Sequence, residues 1–511
     1  MSIRSDDFMG GATHRLSKSA IAAFDQCPRR LWLQVHLPDA AAASDGSAQL
    51  RLTAGTQVGA AARTLIPEGA LINTGPNMQA AIAKTAELIA KADQPIFEAT
   101  LIYNDVLVQI DIFVPVTTGS ETAWRLIEVK SSTAPKPHHV ADLATQIWVA
   151  EQCGLKIASA SVRHLNRNFI LDRAGRYDGL FSDAELYDDA ATAAANLITT
   201  IAEARCVLAG DEPELPTGAH CSSPYVCEFG DHCKQSEPEP TLWPIAELPN
   251  TGSRLASKWG EQDIYDLREL PVEAELSPLH DRIKQAVTSG QPYLDTKAFA
   301  DAVSQWPYPR TWLDFEAIAI AVPRWVGTRP WQAIPFQFSA HVEQSDGSIE
   351  HVEALDLTGD DPRAVIVEAL AKLPDHGAVI AWSKSYESAR LRELADALPN
   401  HSEKLLSLAD RLVDPMPVAK AHYYHPDQRG SFSIKYVLPT VAPELDYSLL
   451  GITDGMAAQA AYLEAIEPGC TGQRRDQTDA ALREYCGQDT WAMVVICDRL
   501  SGFQRLPIEL R

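Results

Sequence analysis

The sequence lacks any apolar run of about 18 residues, so no membrane-spanning helix and no membrane partner are expected. Its first residues lack the apolar core of a secretory signal, so a cytoplasmic location is expected. Basic residues are scarce: 44 Lys and Arg stand against 68 Asp and Glu, giving a net charge of −24. This balance argues against a protein that holds nucleic acid by bulk positive charge. It leaves open a site whose carboxylates bind divalent ions, because the ions supply positive charge locally.

The chain also lacks long internal repeats, and at roughly 150 residues per domain its 511 residues predict two to four domains. We place the first domain over 1–236, a helical linker over 237–305 and the last domain over 306–511. The linker opens with SEPEPTLWP, whose Pro and Glu content is typical of a solvated connector.

Apolar periodicity predicts a mixture of helices and strands in both large domains. In the first domain, helices are predicted over 17–36, 53–65, 77–92, 138–152 and 183–208, and strands at PIFEATLIY, VLVQIDIFVPV, AWRLIEVK and IASASVRHL. The last domain begins with the strand RTWLDFEAIAI and ends in a helix over about 475–500. The expected fold class is therefore α/β (α+β), with helices packed on a sheet in each domain.

A first set of polar residues lies on two neighbouring predicted strands. Asp111 is the charged residue of VQIDIFV, and Glu128 and Lys130 lie two residues apart in RLIEVKSS. Residues i and i+2 of a strand face the same side, so Glu128 and Lys130 project together. If the two strands pair, Asp111 joins them, and two carboxylates can hold Mg²⁺ or Mn²⁺. A surface ion pair on an amphipathic strand is the alternative.

This arrangement, followed by a helix with Gln146 in DLATQIWVA, resembles the RecB-like branch of the PD-(D/E)XK nucleases. The resemblance implies a restriction-endonuclease-like sheet with helices. It implies that Asp111 and Glu128 bind the metal, that Lys130 is the catalytic lysine and that Gln146 contacts the substrate strand or that lysine. Where the branch often carries an acidic or histidine ligand on an early helix, this chain has Gln57, and Glu98 is another candidate.

Nine cysteines occur, and three of them form C-x5-C-x5-C in HCSSPYVCEFGDHC. Pro224 and Gly230 favour turns between Cys221, Cys227 and Cys233. Cys27, at the other end of the same domain, supplies a fourth thiolate. One cysteine before the nuclease core and three after it resembles the iron–sulfur members of the RecB-like nucleases, which implies a structural [4Fe–4S] cluster. Zinc is the alternative ligand, and the nearby His220 and His232 keep it open.

A second set of acids lies in the last domain. LDFEA places Asp314 and Glu316 on one face of a strand, Glu387 begins a helix after a buried strand, and Tyr485 and Asp489 lie one helical turn apart. This order, with GSFSIKYVLP before the last helix, resembles the DEDD exonucleases of the ribonuclease H-like fold. The resemblance implies a mixed sheet with helices and 3′–5′ exonuclease chemistry. It implies that Asp314, Glu316, Glu387 and Asp489 hold two metal ions and that Tyr485 orients the attacking water.

The whole chain resembles a bacterial family that pairs these two domains. The leading hypothesis is a metal-dependent nuclease that cuts DNA, at single strands or ends, in repair, recombination or defence. Nucleic acid, DNA before RNA, is the expected partner. The chain lacks a G-x4-G-K-[ST] loop, so unwinding would require a helicase or another repair or defence protein. The alternatives are an RNA exonuclease run by the last domain and a nucleic-acid-binding scaffold with decayed sites.

Overall fold

The computed structural model describes residues 15–42, 46–118, 121–237, 239, 241–445 and 447–503. The chain divides into two compact units: unit 1 is Met1–Pro238 with Ile320–Trp331, and unit 2 is Glu239–Ala319 with Gln332–Arg511. Each unit combines helices with a sheet of mixed strand direction, so the expected α/β (α+β) class is confirmed. Within the described ranges, every helix is too short or too polar to cross a bilayer.

Unit 1 is built around a seven-stranded sheet. Its strands are β1 (Leu16–Ser17), β2 (Ala70–Leu71), β3 (Ile96–Tyr103), β4 (Val106–Thr118), β5 (Glu121–Lys130), β6 (Ile157–Leu165) and β7 (Phe181–Glu185). Its helices are α1 (Lys18–Gln26), α2 (Pro28–His36), α3 (Gly46–Thr64), α4 (Met78–Lys91), α5 (Pro137–Gln152), α6 (Tyr187–Ala194), α7 (Leu197–Ala209) and α8 (Gly230–Gln235). The strand order is β2-β3-β4-β5-β6-β7, and β1 pairs with β4.

The connection from β5 through α5 to β6 fixes the part of unit 1 that carries the predicted polar residues. β4 pairs antiparallel with β5, and β5 pairs parallel with β6. A parallel pair requires a crossover, which α5 supplies. Leu143 and Ile147 of α5 are fully buried in one apolar core with Ile110 and Leu126 of the sheet. The charged side of α5 is thereby held against the carboxyl end of β5.

Two predicted elements of unit 1 were wrong. The single helix expected over 17–36 is two helices, because Pro28 cannot continue a helix and the backbone at Cys27 is extended, with φ −164° and ψ 116°. The helix expected over 183–208 starts instead as β7 and continues as α6 and α7. β7 pairs antiparallel with β6, and Asp183 there accepts hydrogen bonds from Arg163.

The segment Ile320–Trp331 packs with unit 1, although it lies between two strands of unit 2. Ala321 is buried in an apolar cluster with Val58 and Leu171, and the Leu171 amide donates to the Thr328 carbonyl at 2.9 Å. The linear order of the sequence gives no indication of this exchange.

Unit 2 contains a five-stranded sheet and a two-stranded ribbon. Its strands are β8 (Tyr293–Leu294), β9 (Arg310–Ala319), β10 (Ala333–Glu343), β11 (Ile349–Leu355), β12 (Ala378–Ile380), β13 (Leu412–Val413) and β14 (Tyr423–Tyr424). Its helices are α9 (Gly252–Gly260), α10 (Pro278–Ser289), α11 (Thr296–Ser304), α12 (Arg363–Leu370), α13 (Ser385–Ala397), α14 (Ser402–Asp410), α15 (Pro415–His422), α16 (Ile434–Val441), α17 (Gly455–Ala465) and α18 (Gly472–Leu500).

The large sheet of unit 2 has the order β11-β10-β9-β12-β13, and β14 pairs with β8. β9 is antiparallel to β10 and parallel to β12, so it is the central strand where the direction changes. α18 packs against β9 and β10. Most of the segment predicted as a linker, 237–305, folds with this unit: Trp259 and Ile283 share an apolar core with Tyr424 and Phe432.

Candidate active sites and a candidate cysteine metal centre

The hairpin of β4 and β5 brings Asp111 beside Glu128. Ile112 is paired with Ile127, which places Asp111 next to the Glu128–Val129 peptide. One carboxylate oxygen of Asp111, Oδ2, accepts the Val129 amide at 2.6 Å. We call Asp111 and Glu128 the first acidic cluster.

Glu128 is almost fully buried, yet both of its oxygens have partners. Oε1 accepts from Lys18 Nζ at 2.6 Å and lies 2.8 Å from Lys130 Nζ. Oε2 accepts from Gln146 Nε2 at 2.5 Å. The structure thus brings together all four residues predicted for this site, and it adds Lys18, the first residue of α1.

Helix α5 presents two side chains to this cluster from adjacent turns. Asp142 accepts from Lys130 Nζ at 2.5 Å, and Gln146 binds Glu128. Residues i and i+4 of a helix lie on one face, which explains why α5 supplies both contacts. The Oε1 atom of Gln146 is buried and has no hydrogen-bond partner among the described residues. Carboxylates beside a free amide oxygen form a hard oxygen donor set, which suits Mg²⁺ or Mn²⁺.

The two acids of the cluster have opposite electrostatic environments. Burial raises the pKa of Asp111 to about 7, and the neighbouring Glu128 adds to this rise. Burial alone would raise the pKa of Glu128 as well, but Lys18 and Lys130 outweigh it and lower the pKa to about 2. Glu128 is therefore ionised at neutral pH, and Asp111 is poised to lose its proton to a nearby cation.

An open cavity of ≈ 240 Å³ borders the cluster, lined by Gly55, Thr56, Gly59, Arg63, Glu98, Asp111, Ile112 and Val129. Glu98 accepts from Arg63 at 3.0 Å, and burial raises the pKa of Glu98. Its φ of +58° is rare for a residue with a side chain, and such strain is found most often at functional sites. Glu98 is thus the second carboxylate of this cavity, with Asp111, whereas Gln57 does not line it.

The four predicted cysteines converge at one end of unit 1, where all of them line one small cavity, and we call Cys27, Cys221, Cys227 and Cys233 the cysteine site. Burial and repulsion between neighbouring thiolates raise the pKa of Cys227 and Cys233. Gln26 fixes the loop against α1, because its Nε2 donates to the carbonyls of His220 at 2.7 Å and Tyr225 at 2.8 Å. Thiols with raised pKa values stay protonated until a cation binds, and four converging sulfur donors suit an iron–sulfur cluster or zinc.

Zinc and an iron–sulfur cluster differ in the spacing of the sulfur atoms that they require. Zinc binds thiolates at about 2.3 Å, which brings the sulfur atoms to about 3.8 Å from one another. Among the described residues, no three cysteine sulfurs lie within 4.8 Å of one another. A four-iron cluster holds its cysteines further apart, and both groups stay candidates for this site. His232 lies 3.4 Å from Glu212 and does not line the cavity, whereas His220 does.

The second acidic cluster is formed by Asp314, Glu316, Glu387 and Asp489 in unit 2. Ligand oxygens of Asp314, Glu316 and Asp489 lie within 4.8 Å of one another. They share a cavity of ≈ 560 Å³ with Glu387, whose Oε2 is buried and has no partner among the described residues. Asp314 and Glu316 come from β9, and Asp489 from α18, as the sequence spacing predicted.

The start of α13 positions Glu387. Ser383 has a φ of +66°, and its amide donates to Asp414 at 3.0 Å, while the Lys384 amide donates to the same carboxylate at 3.2 Å. Asp414 also begins α15 by accepting the Met416 amide. The Asp414 carboxylate thus binds the first turns of α13 and α15, and this contact positions Glu387 at the cavity.

Every acid of the second cluster resists ionisation. Burial, with repulsion from Asp489, raises the pKa of Asp314 strongly and that of Glu316 to about 8. Burial also raises the pKa of Glu387 to about 7 and that of Asp489 to about 6. Four oxygen donors that cannot ionise together without a cation fit one or two divalent ions.

Two tyrosines and one lysine lie beside the second acidic cluster. Tyr447 donates to Asp489 Oδ1 at 2.5 Å, and Tyr485 also hydrogen-bonds Asp489. Lys435 Nζ lies 5.4 Å from the ring centroid of Tyr447 and 5.1 Å from that of Tyr485. Tyr485 was predicted from its spacing to Asp489. Tyr447 was not, because it lies 42 residues earlier with no local pattern.

The fold and the sites together define a mixed α/β chain with two buried acidic clusters and a four-cysteine site. Residues 311–433 are similar to a family described as a domain of unknown function (DUF2779). The matched segment contains Asp314, Glu316 and Glu387 and ends before Asp489. No curated protein sequence matches the chain.

Proposed function

We propose that the protein is a metal-dependent nuclease with two phosphodiesterase sites, acting on DNA single strands or ends. The observation that carries this proposal is the assembly of Asp111, Glu128, Lys130 and Gln146 from β4, β5 and α5, beside a cavity that Asp111 lines. This set matches, residue for residue, the one that the likeness to RecB-like PD-(D/E)XK nucleases implies.

In the first acidic cluster, Asp111 and Glu128 would hold a divalent cation, with Glu98 as a further ligand. The cation would polarise the phosphate and lower the pKa of the attacking water. Lys130 is held by Glu128 and Asp142, so its ammonium is fixed at the cluster, where it would stabilise the negative charge that develops on the phosphate. Gln146 holds Glu128 and keeps the carboxylate oriented.

In the second acidic cluster, Asp314, Glu316, Glu387 and Asp489 would hold two ions for a 3′–5′ exonuclease reaction. The ions would bind the attacking and leaving oxygens of the phosphate. Tyr485 orients the attacking water, and Tyr447 fixes Asp489 through its hydroxyl. The support for this assignment is the meeting of three carboxylates within 4.8 Å and the unpartnered oxygen of Glu387.

The cysteine site would hold a [4Fe–4S] cluster with a structural role. It joins Cys27, near the start of unit 1, to a loop more than 190 residues later, and so closes nearly the whole unit. Iron and sulfide analysis with a visible spectrum of anaerobically purified protein tests this assignment. Stoichiometric zinc without iron would replace it with the zinc alternative.

The net charge of −24 makes the local charges decisive for a polyanionic substrate. A DNA end can approach only where bound ions or protein cations offset the acids, and the structure offers Arg63 at the first cavity and Lys435 at the second. A helicase or another repair or defence protein is the proposed partner for duplex DNA.

An RNA exonuclease run by unit 2 is the second candidate function, because the complete second acidic cluster lies in that unit alone.

The test is a cleavage assay with end-labelled single-stranded DNA and RNA, Mg²⁺ or Mn²⁺, and protein purified without oxygen. Lys130→Ala should reduce cleavage at the first site by ~100-fold or more, and Asp489→Asn should do the same at the second. Lys156→Ala removes an exposed lysine of unit 1 and is the matched control. Loss in one variant assigns substrate and polarity to that unit. Absence of cleavage of both polymers, with the cysteine site loaded, would overturn the proposal in favour of a binding scaffold.

A further inference from the structure

Lys18 is bound to the same oxygen atom as the predicted catalytic lysine. Lys18 Nζ lies 2.6 Å from Glu128 Oε1, and Lys130 Nζ lies 2.8 Å from that atom. Lys18 comes from the first turn of α1, which lies 110 residues before Glu128 in the chain. One carboxylate oxygen therefore has two ammonium partners before any metal ion is bound.

The two lysines differ in what else holds them. Lys130 also donates to Asp142 at 2.5 Å, so it has an anchor that is independent of Glu128. Glu128 is the one acceptor of the Lys18 ammonium in the part of the chain that the structure describes. About a fifth of the Lys18 side chain is exposed, at 22%, so it can leave Glu128 without crossing the core. Lys18 is thus the cation that an incoming metal ion can displace.

We propose that Lys18 is a resident counter-ion of the first acidic cluster. It neutralises Glu128 while the metal is absent, and a divalent cation at Glu128 displaces it toward the phosphate of the substrate. This inference rests on the proposed function only in treating Glu128 as a metal ligand. It assigns to Lys18 a positioning role that neither the β-strand motif nor the likeness to a nuclease family indicates.

The location of Lys18 connects it with the cysteine site. Lys18 begins α1, and Cys27 follows its last residue, so one helix of nine residues joins the two sites. Gln26 at the end of α1 binds the loop that carries the other three cysteines. A loaded cysteine site therefore fixes the helix that delivers the Lys18 ammonium.

The test measures Mn²⁺ binding by electron paramagnetic resonance in the full chain, purified without oxygen. Asp314→Asn and Asp489→Asn are included in every sample to remove the second acidic cluster. Lys18→Met should bind Mn²⁺ roughly tenfold more tightly than the unchanged Lys18 protein, because a like charge beside the ion is removed. Lys18→Arg keeps the charge and should bind as weakly as Lys18. Lys91→Met, on an exposed face of α4, is the control for a general loss of positive charge.

At saturating Mn²⁺, Lys18→Met should also cleave more slowly, because it binds metal but lacks the displaced ammonium at the phosphate. Unchanged or weaker Mn²⁺ binding by a folded Lys18→Met protein overturns the inference, as does tighter binding by Lys18→Arg. Lys18→Gln is the second variant if Lys18→Met does not fold. Tighter binding in a chain that cleaves no nucleic acid would refute the proposed function of the first acidic cluster and leave Lys18 as its counter-ion.

Discussion

The two acidic clusters both bury carboxylates, but they differ in how many protein cations compensate the negative charge. In the first, Glu128 is buried with two lysines and an amide, and its pKa falls to about 2. In the second, burial and mutual repulsion raise the pKa of Glu316 to about 8, and Lys435 is the one lysine that lines the cavity among the described residues. Ion pairs with lysines stabilise the ionised Glu128 in the first cluster. In the second cluster the ionised carboxylates repel one another until protons or metal ions bind.

This comparison separates two contributions of a carboxylate: its part in metal binding and its part in folding. Removing an acid from either cluster should abolish metal binding there. The effect on stability, however, should have opposite signs for Glu128 and for an acid of the second cluster, because protein cations compensate Glu128 and do not compensate the other. Stability measurements on each unit therefore test the two structures independently of any activity.

The largest effect is expected for Glu128→Gln. The substitution leaves two lysines facing a neutral amide in a buried site, so unit 1 should lose about 3–5 kcal/mol of stability. Hydrogen-exchange mass spectrometry in increasing denaturant, read on peptides of β4 and β5, measures this loss.

The chain contains a matched control for this prediction. Glu87 on α4 also pairs with two lysines, Lys84 at 2.9 Å and Lys91 at 2.8 Å, but it is exposed to solvent. Glu87→Gln should leave the stability of unit 1 almost unchanged, because exposed ion pairs contribute little. Equal losses for Glu87→Gln and Glu128→Gln would mean that burial does not distinguish the two sites.

The opposite sign is expected for Asp314→Asn. An amide of the same shape removes the charge that burial, Asp489 and Glu387 oppose most strongly. Metal-free unit 2 should therefore gain about 1–2 kcal/mol, while Mn²⁺ binding and cleavage at this cluster are lost. The same hydrogen-exchange measurement on peptides of β9 and α18 gives the change. A loss of stability in the absence of metal would show that the carboxylates of this cluster do not destabilise the folded unit by repelling one another.

Glu128 and the acids of the second cluster should also change stability with pH in opposite directions. The raised pKa values of Glu316, Glu387 and Asp489, about 8, 7 and 6, mean that folding favours their neutral forms. Their contribution is complete below the ordinary carboxyl pKa and is lost as pH rises through about 6–8, so metal-free unit 2 should weaken over this range. Glu128 acts oppositely: its contribution is present above pH 4.5 and is lost as pH falls toward about 2.

Thermal melts between pH 5 and 8.5, with and without Mg²⁺, test the part of this prediction that concerns unit 2. Mg²⁺ should raise the melting midpoint of unit 2 more at pH 8 than at pH 6, because the acids must be ionised to bind it. A Mg²⁺ effect that is the same at both pH values would contradict the raised pKa values.

Local spacing accounts for the parts of both sites that the sequence predicted. Asp314 with Glu316, and Tyr485 with Asp489, are separated by the periods of a strand and a helix, so each pair had to share a face. Asp111 and Glu128 needed only one further assumption, that neighbouring strands form a hairpin. Predictions of this kind depend on backbone geometry, which the chain specifies over a few residues.

The residues that were missed make contacts that no local period encodes. Lys18 reaches Glu128 across 110 residues, and Tyr447 reaches Asp489 across 42. The break at Cys27 was missed for a different reason, since Pro28 was visible in the sequence but apolar periodicity continued across it. Tertiary packing decides the first two cases, and a single backbone restriction decides the third.

The smallest effect is expected for Tyr447→Phe, which sharpens the comparison between the two tyrosines of the second cluster. The Tyr447 hydroxyl donates to Asp489 at 2.5 Å, and losing this hydrogen bond should cost about 1 kcal/mol and raise the pKa of Asp489 further. Metal binding should then require a slightly higher pH, which a pH series of Mn²⁺ titrations measures. Tyr485→Phe should instead slow cleavage by ~10-fold or more, because its role is to orient water, and should change Mn²⁺ binding less than Tyr447→Phe does, because Tyr447 has the larger effect on the pKa of Asp489. A larger loss of cleavage in Tyr447→Phe than in Tyr485→Phe would exchange the two roles and place the attacking water beside Tyr447.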